Sequence, residues 1–476
     1  LNPGGTSAPR VAVVGGGLAG LAAAAVLAER GLQVELFEAR RQLAGRAGSF
    51  RDPATGELVD HCQHVSMGCC TNLADFCRRT GVADCFRHDD RLHFFALDGR
   101  RYDLAASRWL PAPLHLAPSF LRLGYLTLGE RIGVARALWQ LARMQVRDDV
   151  TGPTVGAWLV EQAQSAAAIE RFWAPVLVSA LGESLERASL AYARKVFVDG
   201  FMVSRDGYRI EVPRVPLGEL YGERLAGWLT SHGVRLHLET PIAEIRGSTA
   251  GVTHIVLGSG ASEPVDAVVV AVPWRRVSEL FTAGPLRDAL LCLATVDKIE
   301  AAPITGVHLW FDREITPLPH AVLVGMTSQW VFNHGASADA NASDSPRHYY
   351  QVVISASYNL AGQDREQLVQ EIVAELGRVW PAARSARLLH SRMVTEQAAV
   401  FSVSPGTDRY RPAQQTPIGN LALAGDWTAT DWPATMEGAV RSGYLAAEAI
   451  LAHCGRPERI VVPDLARSFL ARMLFR

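Results

Sequence analysis

The sequence predicts an α/β chain, α+β overall, in which a Rossmann-like dinucleotide-binding domain is interleaved with a mixed-sheet and helical substrate domain. Three observations predict it. A strand, a glycine turn, a helix and a second strand follow one another from Val11. A further apolar strand ending in Gly425-Asp426, followed by a long helix, stands near the other end. Between them, strands alternate with a proline-marked helical stretch in a chain of 476 residues, too long for one simple core.

Val11 to Val14 is wholly apolar, as expected of a parallel strand buried on both faces. Gly15, Gly17 and Gly20 form G-x-G-x-x-G. The first allows a tight turn, the second lets backbone approach a pyrophosphate, and the third lets the next helix pack closely on the strand. Leu18 and Ala19 complete the turn, and a helix from Leu21 to Glu29 aims free N–H groups at the phosphates. Gly31 ends that helix, Val34 to Phe37 is the second strand, and Glu38 stands where a ribose diol can be held, followed by Ala39 and Arg40. Val11 to Ala28 carries no charge and is long enough to span a bilayer, but its three consecutive glycines break any continuous helix.

A glycine- and arginine-containing loop with Gly45 and Arg46 comes next, then Asp60-His-Cys-Gln63-His64. Leu110 to Met144 is apolar, with helical spacing from Leu138 onward. Helix follows through Val155 to Ala180 and over Glu219 to Ser231. Strands are expected at 234–238, 242–245, 252–257, 265–272, 307–311 and 349–355, and a helix at 365–379. Asp339 to Arg347 is expected to be a mobile loop, and Asn341-Ala-Ser343 matches a glycosylation acceptor. Leu421 to Ala424 is an apolar strand and Met436 to Leu451 a helix, so Gly425 and Asp426 form a second clamp on one extended cofactor. The expected division is 9–90, 208–290 and 415–455 for the cofactor domain, and 91–207 with 291–414 for the substrate domain. A basic, apolar tail occupies 456–476.

Net charge is −1, which offers nothing to nucleic acid. Charged residues are 20% of the chain and mean hydropathy is slightly positive, a tilt toward apolar ligands. Seven cysteines without C-x-x-C pairs read as reduced thiols of a cytoplasmic protein rather than a metal site.

With these residues in place, the chain resembles the flavin amine oxidase and phytoene desaturase superfamily. The resemblance implies FAD, gripped by Gly15-Gly-Gly17-Leu-Ala-Gly20 with Glu38, by Leu43-Ala-Gly45-Arg46, and by Gly425-Asp426 with Met436-Glu437-Gly438. Gly48-Ser-Phe50, Gln63-His64-Val, Leu110-Pro-Ala-Pro-Leu-His-Leu, Leu309-Trp-Phe-Asp312 and Gly425-Asp-Trp-Thr428 look like the squalene-associated branch, the hydroxysqualene dehydroxylases. That implies reductive removal of hydroxyl from an apolar triterpenoid, with reduced FAD giving hydride. It also implies a separate electron donor, since no second nucleotide fingerprint occurs, and neighbouring enzymes of the squalene-synthase kind. Two departures stand out: Ala44 where glycine is usual, a mild change, and His61-Cys62 where Asn-Gly is general.

Arg46 is expected on the pyrophosphate and Asp426 on a ribitol hydroxyl, with the amino terminus of the Met436 helix at the flavin pyrimidine edge. Ile242 is either an adenine contact or core. His64 is the first candidate acid, as an imidazolium, with Gln63 beside it and Asp60 and His61 next. The Leu110–Met144 stretch and the tail leave a peripheral contact with the inner membrane face open. The competing functions are a carotenoid-type desaturase, an amine oxidase and a non-catalytic FAD-binding polyprenoid carrier. Against amines, Thr305 occupies the place where those enzymes hold a lysine-bound water, and Lys298 lies too far upstream.

Overall fold

A computed structural model describes residues 8–145, 149, 152–337 and 347–475. The glycosylation acceptor, and all of the expected 339–347 loop except Arg347, lie outside them.

Five parallel strands form the first sheet, in the order Arg235–His237, Gln33–Phe37, Arg10–Val14, Ala267–Val270, Leu421–Leu423. The central strand and the two beyond it, Ala267–Val270 and Leu421–Leu423, are nearly continuous apolar runs because both their faces are covered, whereas the edge strand Arg235–His237 is polar and only partly covered. The opening strand is central, and the last strand of the chain lies two places away. Helix Leu18–Glu29 is buried from Leu18 to Leu27, and helix Met436–His453 packs directly against it. The contact is so close that a Cβ on Gly443 would stand 2.3 Å from the Ala19 carbonyl oxygen. The alanine-rich composition of the first helix therefore serves close helix approach as well as helix formation.

The second sheet has seven strands, in the order Leu388–Phe401, Ala301–Phe311, Arg347–Ser355, Trp330–Ser337, His320–Leu323, Arg91–Phe95, Arg101–Ala105. All pairings are antiparallel except that of His320–Leu323 with Arg91–Phe95. Alternation gives this sheet two unlike faces. Val307, Leu309 and Phe311, with Tyr350, Val352 and Ile354, pack on Leu368, Ile372 and Leu376 of helix Arg365–Val379. The opposite face carries Gly306, His308 and Trp310 beside Tyr349 and Gln351.

The expected helices and strands are present, with differences that have local causes. The helix expected from Glu219 begins at Gly218 and is wound in wide π turns to Arg224, as are Ile169–Trp173 and Val196–Met202. The fourteen-residue strand Leu388–Phe401 had no counterpart in the sequence reading. Register shifts against Ala301–Phe311 interrupt its alternation, so no sustained period of two marks it. Within the apolar 110–144 stretch, Thr127 and Glu130 form a reciprocal cap that starts helix Leu128–Arg143. Among the described residues, no helix is long and apolar enough to cross a membrane.

Candidate cofactor and substrate site

The glycine turn is built for an anion. Gly15 has φ +112°, and a Cβ there would meet the Ala271 carbonyl oxygen at 2.6 Å. A Cβ on Gly20 would stand 1.9 Å from the Gly15 carbonyl oxygen, so the helix can pack this close only with glycine. A Cβ on Gly17 would meet nothing within 4 Å, so backbone here faces open space. Gly17 caps the first helix without any side-chain acceptor, and the first turn, with Leu18 and Ala19, holds no acid. The dipole and unpaired N–H groups are thus left for a ligand's phosphates. Glu38 is buried and partly committed: Oε2 accepts from the Gly16 N–H (2.7 Å) and Oε1 from the Arg40 N–H (2.8 Å). It shapes the turn as well as facing a ribose site. Ala39 and Arg40 follow it as exposed residues.

The glycine–arginine loop lies against this turn, with the Ala44 N–H donating to the Gly16 carbonyl (2.9 Å) and Gly45 at φ +58° touching Gly17. Ala44 itself has φ +81°. The substitution expected to be mild therefore places a Cβ in the left-handed region, a strained position for any L-residue other than glycine. Arg46 reaches across to the other end of the chain. Its Nη2 pairs with Asp426 Oδ1 (2.5 Å) and its Nη1 donates to the Ala399 carbonyl (2.8 Å). This pair accounts for an acid beside a phosphate site: the guanidinium offsets the charge that would repel a diphosphate.

Gly425 (φ +140°) donates its N–H to Ser442 Oγ, and a Cβ there would strike the Trp427 indole. The loop that follows is organised by Arg411, a buried arginine the sequence reading missed. Its Nη2 lies within hydrogen-bond distance of the carbonyls of Asp426 (3.1 Å), Thr428 (2.6 Å) and Trp432 (2.9 Å) and of Thr430 Oγ1 (3.2 Å). Its Nη1 reaches Tyr192 Oη and Asp408 Oδ1. No local pattern marks this role, because its acceptors exist only once the loop has folded.

At the Met436–His453 helix, Thr435 caps Gly438 (3.1 Å) and the Met436 sulfur accepts from the Tyr221 hydroxyl. Glu437 uses its side chain structurally. Its carboxylate accepts from the backbone of Asn72 (3.2 Å) and Leu73 (2.8 Å) and from the Asn72 amide (2.8 Å), capping helix Thr71–Arg79. Burial raises its pKa above the ordinary carboxylate value. Ile242 packs in the apolar core with Ile255 and Val268.

The 60–64 loop separates this cradle from the histidine-bearing sheet face. Asp60 Oδ1 accepts from Ser49 Oγ (2.5 Å) and the Leu217 N–H (2.8 Å), and burial lifts its carboxyl to about 6. His61 Nδ1 faces the Gly48 carbonyl (2.9 Å). The Cys62 thiol is pushed up to about 12 by burial and by the Asp60 charge. His64 does not meet the expectation of an imidazolium donor. Burial holds its pKa below the ordinary value, and Nδ1 donates to the Cys62 carbonyl (2.9 Å), which leaves Nε2 as an acceptor.

The sheet meets this loop at Gly306, where a Cβ would stand 2.8 Å from the His61 carbonyl oxygen. A glycine inside a strand pattern is the signal that could have found this contact. Gln351 Nε2 donates to the Asp60 carbonyl, and His308 Nδ1 bonds the Tyr349 hydroxyl (2.7 Å). Burial lowers His308 to about 3 and His334, stacked on Tyr349, to about 4. The face is aromatic, with Arg392 opposite His308 across the strand pair and the Glu57 carboxylate accepting from the Trp310 indole (2.9 Å). Three of its and the loop's buried polar atoms have no partner: Gln63 Oε1, Gln351 Oε1 and His308 Nε2. Thr305 Oγ1 is bonded to Ser357 and Thr395 (both 2.9 Å), while Lys298 is exposed over the Tyr410 ring. Neither offers a lysine-held water.

A family model described as flavin containing amine oxidoreductase matches residues 18–451. The zeta-carotene desaturase of Synechocystis is 26% identical, over 95% of this chain and 99% of the relative. The hydroxysqualene dehydroxylase of Rhodopseudomonas palustris is 29% identical, over 93% of this chain and 98% of the relative. Among solved structures, an oxidoreductase from Methanosarcina mazei superposes with a TM-score of 0.69 at 15% identity, covering 91% of this chain and 98% of that one.

Proposed function

The chain belongs to the flavin-containing amine oxidoreductases and is an FAD-dependent oxidoreductase; within that family, we propose that it removes the hydroxyl of hydroxysqualene reductively to give squalene. Relatives on both sides of the choice, dehydroxylases and carotene desaturases, are similarly near, so the choice falls to the site. The observation that carries it is the set of partnerless buried atoms Gln63 Oε1, Gln351 Oε1 and His308 Nε2. Each such atom costs about 1–3 kcal/mol while unpaired. A carotene is hydrocarbon and offers them nothing. An allylic alcohol, and the water it leaves behind, can both donate and accept.

Reduced FAD, when bound, supplies the hydride. The chain's residues do the rest. Asp60, with its carboxyl lifted to about 6, retains a proton to give at mildly acidic pH, whereas His64 is an acceptor. As that proton reaches the hydroxyl oxygen, the C–O bond breaks, water leaves, and hydride forms the new C–H bond. The aromatic side chains of the sheet face keep water away, and Cys62 stays a thiol rather than a thiolate that would trap an allylic cation. A separate donor reduces the flavin.

The test is anaerobic. Photoreduced enzyme mixed with hydroxysqualene should regain oxidised-flavin absorbance and yield a product lighter by one oxygen. The reading fails if reduced enzyme leaves hydroxysqualene unchanged while oxidised enzyme desaturates a carotene.

A further inference from the structure

Helix Leu128–Arg143 is apolar on two opposite sides. Val134, Ala137 and Leu141 face the core and are fully buried. Leu128 (64% exposed) and Ile132 (62%) recur at helical spacing on the outward side, with the partly covered Trp139 in line with them. The carboxy-terminal segment, more than three hundred residues later, lies beside this helix. Ala471 packs with Ala142, the Phe475 ring meets Trp139 at 5.8 Å, and Ser468 Oγ donates to the Ala112 carbonyl (2.6 Å). Ala471 and Phe475 point inward, so Phe469 (72% exposed) and Met473 point out of the short helix Phe469–Leu474. Trp109, Leu114 and Leu121 add exposed apolar groups from the turns before Leu128.

Charge around this surface is one-sided. Residues 106–145 and 465–475 contain Arg108, Arg122, Arg131, Arg136, Arg143, Arg467 and Arg472 against one acid, Glu130. Glu130 is occupied by Thr127 and Ser165. None of the seven arginines is ion-paired among the described residues. Large outward apolar side chains fringed by guanidinium groups without acidic partners, of which Arg131 and Arg467 donate to backbone carbonyls, match the interface of an anionic bilayer: the apolar tips enter the acyl boundary while the arginines meet headgroup phosphates. Among the described residues no helix is long and apolar enough to cross a membrane, and these side chains reach only the depth of an interface.

We infer that this face, formed jointly by residues 109–143 and 469–473, docks the protein on an anionic lipid surface. The inference is independent of what the enzyme reduces, and its test reads binding alone. FAD-loaded protein is floated with vesicles of equal parts phosphatidylcholine and phosphatidylglycerol, and with phosphatidylcholine alone. Wild type should float with the mixed vesicles and do so several-fold less with the neutral ones. The double variant Ile132→Glu, Phe469→Glu changes only exposed positions and should cut flotation about tenfold with melting temperature and bound FAD unchanged. Arg136→Glu with Arg472→Glu should reduce binding to anionic vesicles without lowering the residual neutral binding. The inference is overturned if wild type stays unbound with both vesicles, if the double variant floats like wild type, or if light scattering shows the face buried in a dimer that the double variant dissociates.

Discussion

The cofactor cradle and the histidine-bearing sheet face meet at the 60–64 loop and are built by opposite means. In the cradle, backbone carries the design: glycines at 15 and 20 are fixed by close approach, Gly17 leaves backbone facing open space, and each charged group already has a partner. Arg46 holds Asp426, Glu38 holds the Gly16 N–H, and Arg411 holds the clamp loop. On the sheet face and the loop bordering it, side chains carry the design, and Gln351, His308 and the loop's Gln63 each keep a polar atom unpaired. A diphosphate can be met by an arrangement complete in itself. A substrate whose polar group is expelled during the reaction is met by atoms left waiting. Satisfied groups stabilise the fold, and unsatisfied ones mark where function costs stability.

The cradle is where breaking this contrast should cost most. Arg411→Gln removes a buried guanidinium and leaves the carbonyls of Asp426, Thr428 and Trp432 without their donor. Loss of one member of such a buried network costs about 3–5 kcal/mol. Urea titration should show that loss, and the purified variant should retain little flavin absorbance. Bound FAD at the wild-type level would show that Arg411 does not support the clamp.

Asp60 sits on the boundary, and its effect depends on pH. Its folded carboxyl titrates at about 6 against 3.8 as the ordinary value. Because the folded value is raised, its contribution to stability is fully present below about pH 4 and is lost as pH rises through about 6. Relative to Asp60→Asn, which keeps the acceptor for Ser49 and Leu217, wild type should lose about 2.5 kcal/mol between pH 4 and pH 7. Denaturant titrations of both proteins at the two pH values measure this. A pH-independent difference would place the carboxyl in contact with water or a cation.

The same contrast decides what could be read from sequence. The cradle is local: a glycine spacing, an acid at a strand end and a second Gly-Asp strand each declare themselves within a few residues, and together they pointed to FAD. Arg411 escaped because its acceptors are spread over seven residues of an irregular loop. The structural role of the Glu437 carboxylate escaped likewise, because it turns to a helix start at Asn72 that is remote in sequence. The sheet face was invisible for a related reason. His308, Tyr349 and Gln351 share a side only through strand register, and the strand Leu388–Phe401 hides its period behind bulges.

A smaller effect should appear on the sheet face, with the opposite sign. Gln63→Met removes an unpaired buried oxygen and should raise stability by about 1 kcal/mol, since the desolvation penalty it relieves is about 1–3 kcal/mol. Turnover of the hydroxylated substrate should fall, and bound FAD should stay. If the variant is less stable than wild type, Gln63 Oε1 has a partner in solution, and the contrast between satisfied and waiting groups loses one of its three members.

The smallest expected change returns to the cradle and asks whether its backbone is as settled as its charges. Ala44 holds φ +81° beside Gly17, with its N–H already bonded to Gly16. A left-handed alanine costs about 1–2 kcal/mol. Glycine relieves that strain but gains freedom in the unfolded chain worth about 0.4–1 kcal/mol. Ala44→Gly should therefore stabilise by somewhat under 1 kcal/mol, a rise of a few degrees at most in melting temperature. Its side chain is buried against the turn rather than directed at open space, so FAD affinity should change little. A tighter FAD complex with unchanged apoprotein stability would instead mean that the strain at Ala44 is felt only when the diphosphate is in place, and that the backbone of the cradle, like the side chains of the sheet face, completes itself on its ligand.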